Sequence, residues 1–188
     1  MKLGSRLARR VLIWGASNLN FLEPNMPSKT MQDLFVHALS DVLSAEKQLT
    51  KALPKLARSS TNPKLAEAFK THLAETQGQI ERLDKIVEST GVKLKRMKCA
   101  AMEGLVEEAQ EVIDEIEAGP ILDAALIGAA QKVEHYEIAS YGTLAAMAKK
   151  LGFDDAVTLL IETLEEEKAT DEKLTLLAEE ESEETVAS

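Results

Sequence analysis

The sequence predicts an all-α protein, a bundle of four long helices with one long crossover that carries an extra short helix. Apolar residues recur at steps of three and four along four stretches of the 188-residue chain, which is the period of a helix with one buried face. The apolar residues are mostly Ala and Leu, and only 4% of the chain is aromatic, which favours helix over sheet. Capping residues or glycines stand where these stretches begin or end.

The chain divides into three parts. We expect residues 1–27 to be a flexible N-terminal extension, because they contain two prolines and show no sustained helical period. An upstream start codon, with Met26 as the true first residue, is the alternative explanation of this part. Residues 28–178 form the predicted bundle. Residues 179–188 hold five glutamates and are predicted to be a disordered acidic tail.

The first two long helices begin at recognisable capping residues. Thr30, followed by an acid three residues later, begins a predicted helix over residues 30–59. The Asn62-Pro63 pair combines a capping side chain with a proline at the first helical position, so a second helix starts there. This helix is predicted to stop at Gly91, since glycine commonly ends a helix.

The crossover separates the second long helix from the third. A basic linker of residues 91–98 leads to a short helix of about residues 99–117. Long helices then cover about residues 121–150 and 153–178, with Gly152 between them. A long connection allows the third long helix to run parallel to the second, which is the wiring of ferritin-like bundles.

Acidic residues interrupt the apolar face of each long helix near its middle. They are Glu46, Glu75, Glu137 and Glu167. In such a bundle the middles of the helices meet, so the four carboxylates should converge in the core. Because an unpartnered buried carboxylate costs several kcal/mol, a shared cation is the expected partner.

These acids predict an oxygen-rich metal site that holds two ions, Fe or Mn. Glu134, on the flank of the Glu137 row, and Asp171, one turn after Glu167, are further candidate ligands. Gln79 has the same spacing after Glu75 and would act as a secondary ligand or hydrogen-bond to the ligands.

The pattern departs from the usual ferritin-like di-metal site, which takes Glu-x-x-His from two helices. Gly78 follows Glu75 by three residues, and Thr170 follows Glu167 by three, so neither position supplies an imidazole. His72, one turn before Glu75, is a candidate nitrogen ligand, or it is simply hydrogen-bonded at the edge of the core.

A metal-free polar core is the alternative to a metal site. Buried acids can pair with a basic residue or keep their proton through a raised pKa. Lys168 is the one nearby lysine on a facing stripe, and one lysine does not neutralise four converging acids. Tyr136 and Tyr141 lie near Glu137 and would either donate hydrogen bonds to the ligands or pack in the core.

Four blocks of sequence in fixed order resemble the bacterial YciE/YciF stress proteins over about residues 29–178. The blocks are DVLSAEKQL at 41–49, HLAETQGQIERL at 72–83, KVEHYEIASYGTL at 132–144 and TLEEEKATD at 163–171. The resemblance implies a ferritin-like, rubrerythrin-related fold, a cytoplasmic homodimer and a link to stress responses. It does not imply a defined activity. Its motif acids coincide with those that the periodicity identifies.

Two functions are compatible with these features. The first is a di-metal protein that handles the metal or acts on peroxide or O₂ as a non-haem oxidase or peroxidase, with a small oxidant as its partner. The second is a non-catalytic, metal-free structural or partner-binding stress protein. A net charge of −10 argues against nucleic-acid binding. No stretch reaches the ~18–20 apolar residues of a membrane span. The single cysteine, Cys99, cannot form an internal disulfide.

Overall fold

Helices make up the regular structure of the part of the chain that is described. The computed structural model describes residues 30–186, and side chains are described as far as residue 180. The helices are α1 (Met31–Ser59), α2 (Pro63–Thr90), α3 (Ala100–Glu115), α4 (Pro120–Leu151) and α5 (Asp154–Val186). The predicted all-α fold is confirmed. The predicted N-terminal extension, residues 1–27, lies outside the described residues.

The four long helices form two pairs, α1 with α2 and α4 with α5, and the crossover joins the pairs. Phe35 near the start of α1 belongs to the same buried cluster as Leu144 near the end of α4, so these two helices are antiparallel. Leu65 at the start of α2 shares a second cluster with Leu174 near the end of α5, so this pair is antiparallel too. It follows that α2 and α4 are parallel, and the predicted one-crossover wiring is confirmed.

The helix boundaries follow the capping signals. The Thr30 side chain accepts a 3.0 Å hydrogen bond from Asp33 N, and the Asp33 carboxylate accepts one from Thr30 N, which completes the capping box. Gly91 and Gly152 end α2 and α4 with φ values of 66° and 75°, a left-handed conformation that favours glycine.

Asp123 holds the turn between α1 and α2 against the first turn of α4. This carboxylate is buried and accepts hydrogen bonds from Ser60 Oγ at 2.7 Å, from Thr61 N and Asn62 N at 2.9 Å each, and from Thr61 Oγ1. The donors supply the partners that a buried charge requires. Asp123 therefore fixes one end of the bundle.

A polar layer divides the hydrophobic core into two clusters, and the order of residues along α1 illustrates it. Phe35, Leu39 and Val42 belong to one cluster, and Leu49 and its C-terminal neighbours belong to the other. The other three long helices show the same division, with polar buried residues between two apolar segments. Those residues are His72, Thr76 and Gln79 on α2, Glu134 and Glu137 on α4, and Thr163 and Glu167 on α5.

The C-terminal end of the bundle differs from the prediction. Helix α5 continues to Val186, whereas the sequence predicted disorder from residue 179 onward. Glutamate is a good helix former, so a run of glutamates can extend an existing helix. Lys64 on the neighbouring helix α2 contacts this extension, and its Nζ lies 2.6 Å from Glu180 Oε2.

Candidate metal centre

All four long helices contribute a buried polar side chain to the layer at the centre of the bundle. Glu46 comes from α1, His72 from α2, Glu134 and Glu137 from α4, and Glu167 from α5. None of these side chains is more than 3% exposed. The convergence follows from the fold, because each residue lies near the middle of its helix and the helices pack side by side.

Four of these residues bring ligand atoms close together. One possible metal-ligand atom from each of His72, Glu134, Glu137 and Glu167 lies within 4.8 Å of the others. Hard divalent cations bind oxygen ligands at ~2.0–2.6 Å, so a span of this size fits around a single ion. His72 Nε2 is 3.4 Å from Glu134 Oε1, which brings the imidazole next to the carboxylates.

Glu46 lies beside this group and is held by a tyrosine. Tyr141, itself fully buried, donates a hydrogen bond from its hydroxyl group to Glu46 Oε1. The other oxygen, Oε2, is buried and has no hydrogen-bond partner. Because Tyr141 occupies one oxygen, Glu46 can offer only Oε2 freely to an ion.

Most polar atoms of the layer lack a hydrogen-bond partner among the described residues. They are both carboxylate oxygens of Glu137 and Glu167, Oε2 of Glu46 and Glu134, both ring nitrogens of His72 and Oε1 of Gln79. Native proteins pair about 90% or more of their buried polar groups, so such a concentration requires a specific cause. The carboxylate and amide oxygens, together with one ring nitrogen of a neutral imidazole, can accept a hydrogen bond or bind a cation, which fits a metal site.

Burial and mutual repulsion disfavour the ionised carboxylates. Burial raises the pKa of Glu46 to about 7 and, together with the charges of Glu134 and Glu46, raises the pKa of Glu167 to about 11. Burial and the charges of Glu46 and Glu167 raise the pKa of Glu137 well above its ordinary value. A bound cation would reverse this penalty, since it favours the charged form of each ligand.

His72 is the one group in the layer that can carry a positive charge. Burial alone would lower the pKa of His72, but the negative charges of Glu134, Glu46 and Glu75 raise it above the usual value. No Lys or Arg is buried among the described residues. Lys168, the lysine that the sequence places on a facing stripe, is half exposed. Its Nζ lies 2.7 Å from Glu165 Oε1 on the same helix.

The buried carboxylates, when ionised, therefore need a cation in addition to His72. Four buried carboxylates face one imidazole, whereas two divalent ions would carry as many positive charges as the ionised carboxylates carry negative ones. Carboxylate oxygens with an imidazole are the ligand types that iron and manganese accept in bundles of this wiring. The residues present thus have the ligand chemistry of a metal centre, and the charge of the ionised carboxylates would match two divalent ions.

Two of the six sequence-predicted ligands lie at the rim of the layer. Glu75 has a 38% exposed side chain, and its Oε2 is 3.7 Å from His72 Nδ1. Asp171 is 23% exposed and lies 3.5 Å from His135 Nε2 and from Gln131 Nε2. The other four, Glu46, Glu134, Glu137 and Glu167, lie inside the layer.

Residues that the sequence left open occupy distinct positions. Tyr141 contacts Glu46, whereas Tyr136 donates a 2.7 Å hydrogen bond to Asp41 and contacts the buried thiol of Cys99, away from the layer. Gln79 is buried and donates to Glu166 at 3.2 Å. Nothing in the periodicity distinguished the two tyrosines, because both are large and partly apolar.

The family described as a domain of unknown function, DUF892, matches residues 30–187. The chain belongs to this family. Among its relatives, Protein YciF of Escherichia coli strain K12 is 66% identical over 154 residues, which cover 81% of this chain and 93% of that protein. The crystal structure of the E. coli stress protein YciF has a TM-score of 0.81 and 64% identity, over 83% of this chain and 99% of that one.

A second solved structure of similar fold is YcfI from Rhodopseudomonas palustris, with a TM-score of 0.77 and 48% identity over 80% of this chain and 96% of that chain. A protein from Xanthomonas campestris has a TM-score of 0.63 at 21% identity, over 84% of this chain and 95% of that one, and shares the fold. The resemblance to YciF-type stress proteins is thus confirmed for this DUF892 protein. None of its described helices combines the length and apolar character needed to cross a lipid bilayer.

Proposed function

We propose that this DUF892 protein is a stress-related protein that binds two iron or manganese ions in its polar layer and acts on peroxide or O₂, or handles the metal itself. The observation that carries the proposal is the set of buried, unpartnered carboxylate oxygens contributed by three helices around a buried histidine. When ionised, these carboxylates carry more negative charge than His72 can balance, and two divalent cations would match that charge.

The closely grouped residues would hold the ions. His72, Glu134, Glu137 and Glu167 supply the donors that lie within 4.8 Å of one another, and Glu46 adds its free oxygen beside them. Glu75 and Asp171 at the rim would reach the ions only after a change of side-chain rotamer, or would orient the ligands. Glu75 already lies beside His72 Nδ1, which is the arrangement that fixes the orientation of a ligating imidazole.

Redox-active ions bound here would supply the electrons for reducing an oxidant. The chain supplies orientation, proton control and exclusion of water. Tyr141 keeps its proton, because burial and the charge of Glu46 raise its pKa well above the ordinary value, and so it remains a donor to Glu46 Oε1. The apolar clusters above and below the layer exclude bulk water and strengthen every electrostatic interaction inside it.

Peroxide consumption by the Fe(II)-loaded protein, with an added reductant that returns the oxidised metal to Fe(II), tests the proposal. Glu167→Gln removes one buried ligand at nearly constant shape, and Glu165→Gln makes the same change on an exposed residue of the same helix. We expect Glu167→Gln to abolish metal-dependent turnover and Glu165→Gln to retain it. Equal turnover in the two variants would show that the polar layer is not the reactive centre.

A metal-free structural role is the second candidate. The raised pKa values of Glu46 and Glu167 support it, since protonated carboxyl groups can stay buried without a cation. One relative, YcfI, is described as a candidate structural protein. This role predicts that Glu167→Gln leaves the melting temperature equal or higher in every buffer, and that Fe(II) or Mn(II) shifts neither the variant nor the wild type.

The cellular setting is inferred from the resemblance to the YciE/YciF proteins. We propose a cytoplasmic homodimer that binds no nucleic acid and takes a small oxidant as its partner. The acidic net charge of −10 supports the absence of nucleic-acid binding. Light scattering coupled to gel filtration measures the oligomeric state, and a mass of a single 20.6 kDa chain at all concentrations would contradict the dimer.

A further inference from the structure

A cavity of about 120 Å³ lies in the core next to the polar layer. Its walls come from all four long helices, and most of the side chains are apolar. Leu53, Phe69, Ala130, Val133 and Leu174 are buried members of this wall. The cavity therefore belongs to the apolar cluster on the side of the layer that contains the start of α2 and the end of α5.

The two ends of the cavity differ in exposure, because one end adjoins the polar layer and the other is lined by more exposed residues. His72 and Glu134, both buried residues of the polar layer, line its inner end. Glu75, Thr170 and Lys173, which are partly or fully exposed, line the end between α2 and α5. A molecule in the cavity would thus lie between solvent and the candidate ligands.

Alanines on facing helices account for the space. Ala68 on α2 and Ala130 on α4 are both buried, and both line the cavity. Leucine at either position would occupy part of it. Because cores are normally close-packed, a cavity of this size costs stability unless a ligand fills it.

The volume and the walls define the class of ligand. An engineered core cavity of about 150 Å³ lined by Leu, Ile and Phe stays dry and binds benzene or xenon, and the present cavity is of similar size. A charged molecule would lose its hydration among leucines and alanines without compensation. Hydrogen peroxide, like water, would find no polar partners along the apolar walls; the polar side chains are Glu75, Thr170 and Lys173 at the outer end, and His72 and Glu134 at the inner end. A compact molecule with an apolar body and a small polar group matches both the walls and the inner end.

We propose that this cavity binds a compact, uncharged molecule with an alkyl or aromatic body about the size of benzene, whose polar end faces His72 and Glu134. Binding of the alkyl or aromatic part of this ligand requires no metal. The consequence for the oxidant rests on the proposed function: the preferred substrates are small alkyl hydroperoxides, with hydrogen peroxide a poorer substrate. The cavity thereby acts as the specificity pocket of the candidate centre.

Titration of the metal-free full chain with benzene tests the binding step by itself. Carbon-13 methyl NMR follows Leu53 and Val133 in the wall, and we expect saturable shifts at both. Ala130→Leu fills the space and should weaken binding about tenfold or more. Ala124→Leu makes the same change on the exposed face of the same helix and should leave binding unchanged. Shifts that do not saturate, or equal binding by Ala130→Leu, would overturn the proposal.

A second variant keeps the test decisive if Ala130→Leu does not fold. Leu53→Ala enlarges the cavity and should bind indole, which the wild-type volume excludes. Indole binding equal to that of the wild type would contradict the assignment of this wall. In the Fe(II)-loaded protein with an added reductant, Ala130→Leu should lower kcat/KM for tert-butyl hydroperoxide about tenfold more than it lowers kcat/KM for hydrogen peroxide. Benzene binding without any turnover would refute the metal-centre proposal alone.

Discussion

The stability of the metal-free protein should fall as the pH rises above the ordinary pKa of a carboxylic acid. Burial raises the folded-state pKa of Glu46 from 4.5 to about 7, so this group is neutral in the folded chain and charged in the unfolded chain between these values. A group with a raised pKa contributes stability that is fully present below its unfolded pKa and is lost as the pH rises through its folded pKa. The window for Glu46 is therefore about pH 4.5 to 7.

The size of this loss follows from the shift. Integrating the linkage relation for Glu46 alone gives a loss of about 2 kcal/mol between pH 5.5 and pH 8. For a chain of this length, that loss lowers the melting temperature by about 4–8 °C. Glu137 and Glu167, whose pKa values burial raises further, add to the total fall.

Thermal unfolding of Glu46→Gln isolates the contribution of this residue. The amide cannot ionise, and its carbonyl oxygen can still accept the hydrogen bond from Tyr141. We expect the melting temperature of the metal-free wild type to fall between pH 5.5 and pH 8 by about 4–8 °C more than that of the variant. Glu165→Gln, an exposed control, should fall like the wild type. An equal fall in wild type and Glu46→Gln would refute the claim that Glu46 is buried without a cation.

Three further changes test other parts of the structure. Tyr141→Phe removes the donor to Glu46 and should weaken Fe(II) or Mn(II) binding about 10–100-fold, measured by competition with a chelator. Asp123→Ala leaves the turn after α1 without its acceptor and should lower the free energy of unfolding in urea by about 3 kcal/mol. Gly152→Ala at φ 75° should cost about 1 kcal/mol in the same assay, whereas Gly128→Ala, inside α4 with open space around it, should be neutral or stabilising. An unchanged metal affinity in Tyr141→Phe or an unchanged free energy of unfolding in Asp123→Ala would contradict these assignments. Equal effects of the two glycine changes on the free energy of unfolding would do the same.

The fold was predictable because its signals are local. Thr30, Asn62, Gly91 and Gly152 act through their own backbone neighbours, and the structure places helix boundaries at each of them. The wiring followed from the length of the crossover between α2 and α4. The end of α5 was not predictable in this way, because glutamate-rich sequence is compatible with disorder and also with the extension of a helix that has already formed.

The buried face of α2 shows why the candidate site was only partly predictable. The helical period of α2 can be drawn through the apolar residues Leu73, Ile80 and Val87, which places His72 and Gln79 on the flank of the expected buried face. In the structure His72 and Gln79 are buried, and the three apolar residues are partly exposed. A polar layer inverts the rule that apolar residues mark the centre of the buried face.

Side-chain contacts between helices were also beyond the sequence. The burial of Glu134 depends on its contact with His72 from α2, and the rim position of Asp171 depends on how α4 and α5 pack. Periodicity within one helix gives the angle of a residue around that helix, but it does not give the distance to a partner on another helix. The same limit applies to Tyr141 and Glu46, which are far apart in the sequence.

Elemental analysis tests the central claim most directly. The protein would be purified without chelators or an affinity metal, and its metal content measured beside that of Glu167→Gln and Glu165→Gln. The account predicts about two Fe or Mn ions per chain, a clear loss in Glu167→Gln and no loss in Glu165→Gln. Absence of bound metal in the wild type, even after anaerobic loading with Fe(II) or Mn(II), would contradict it and favour the metal-free structural role.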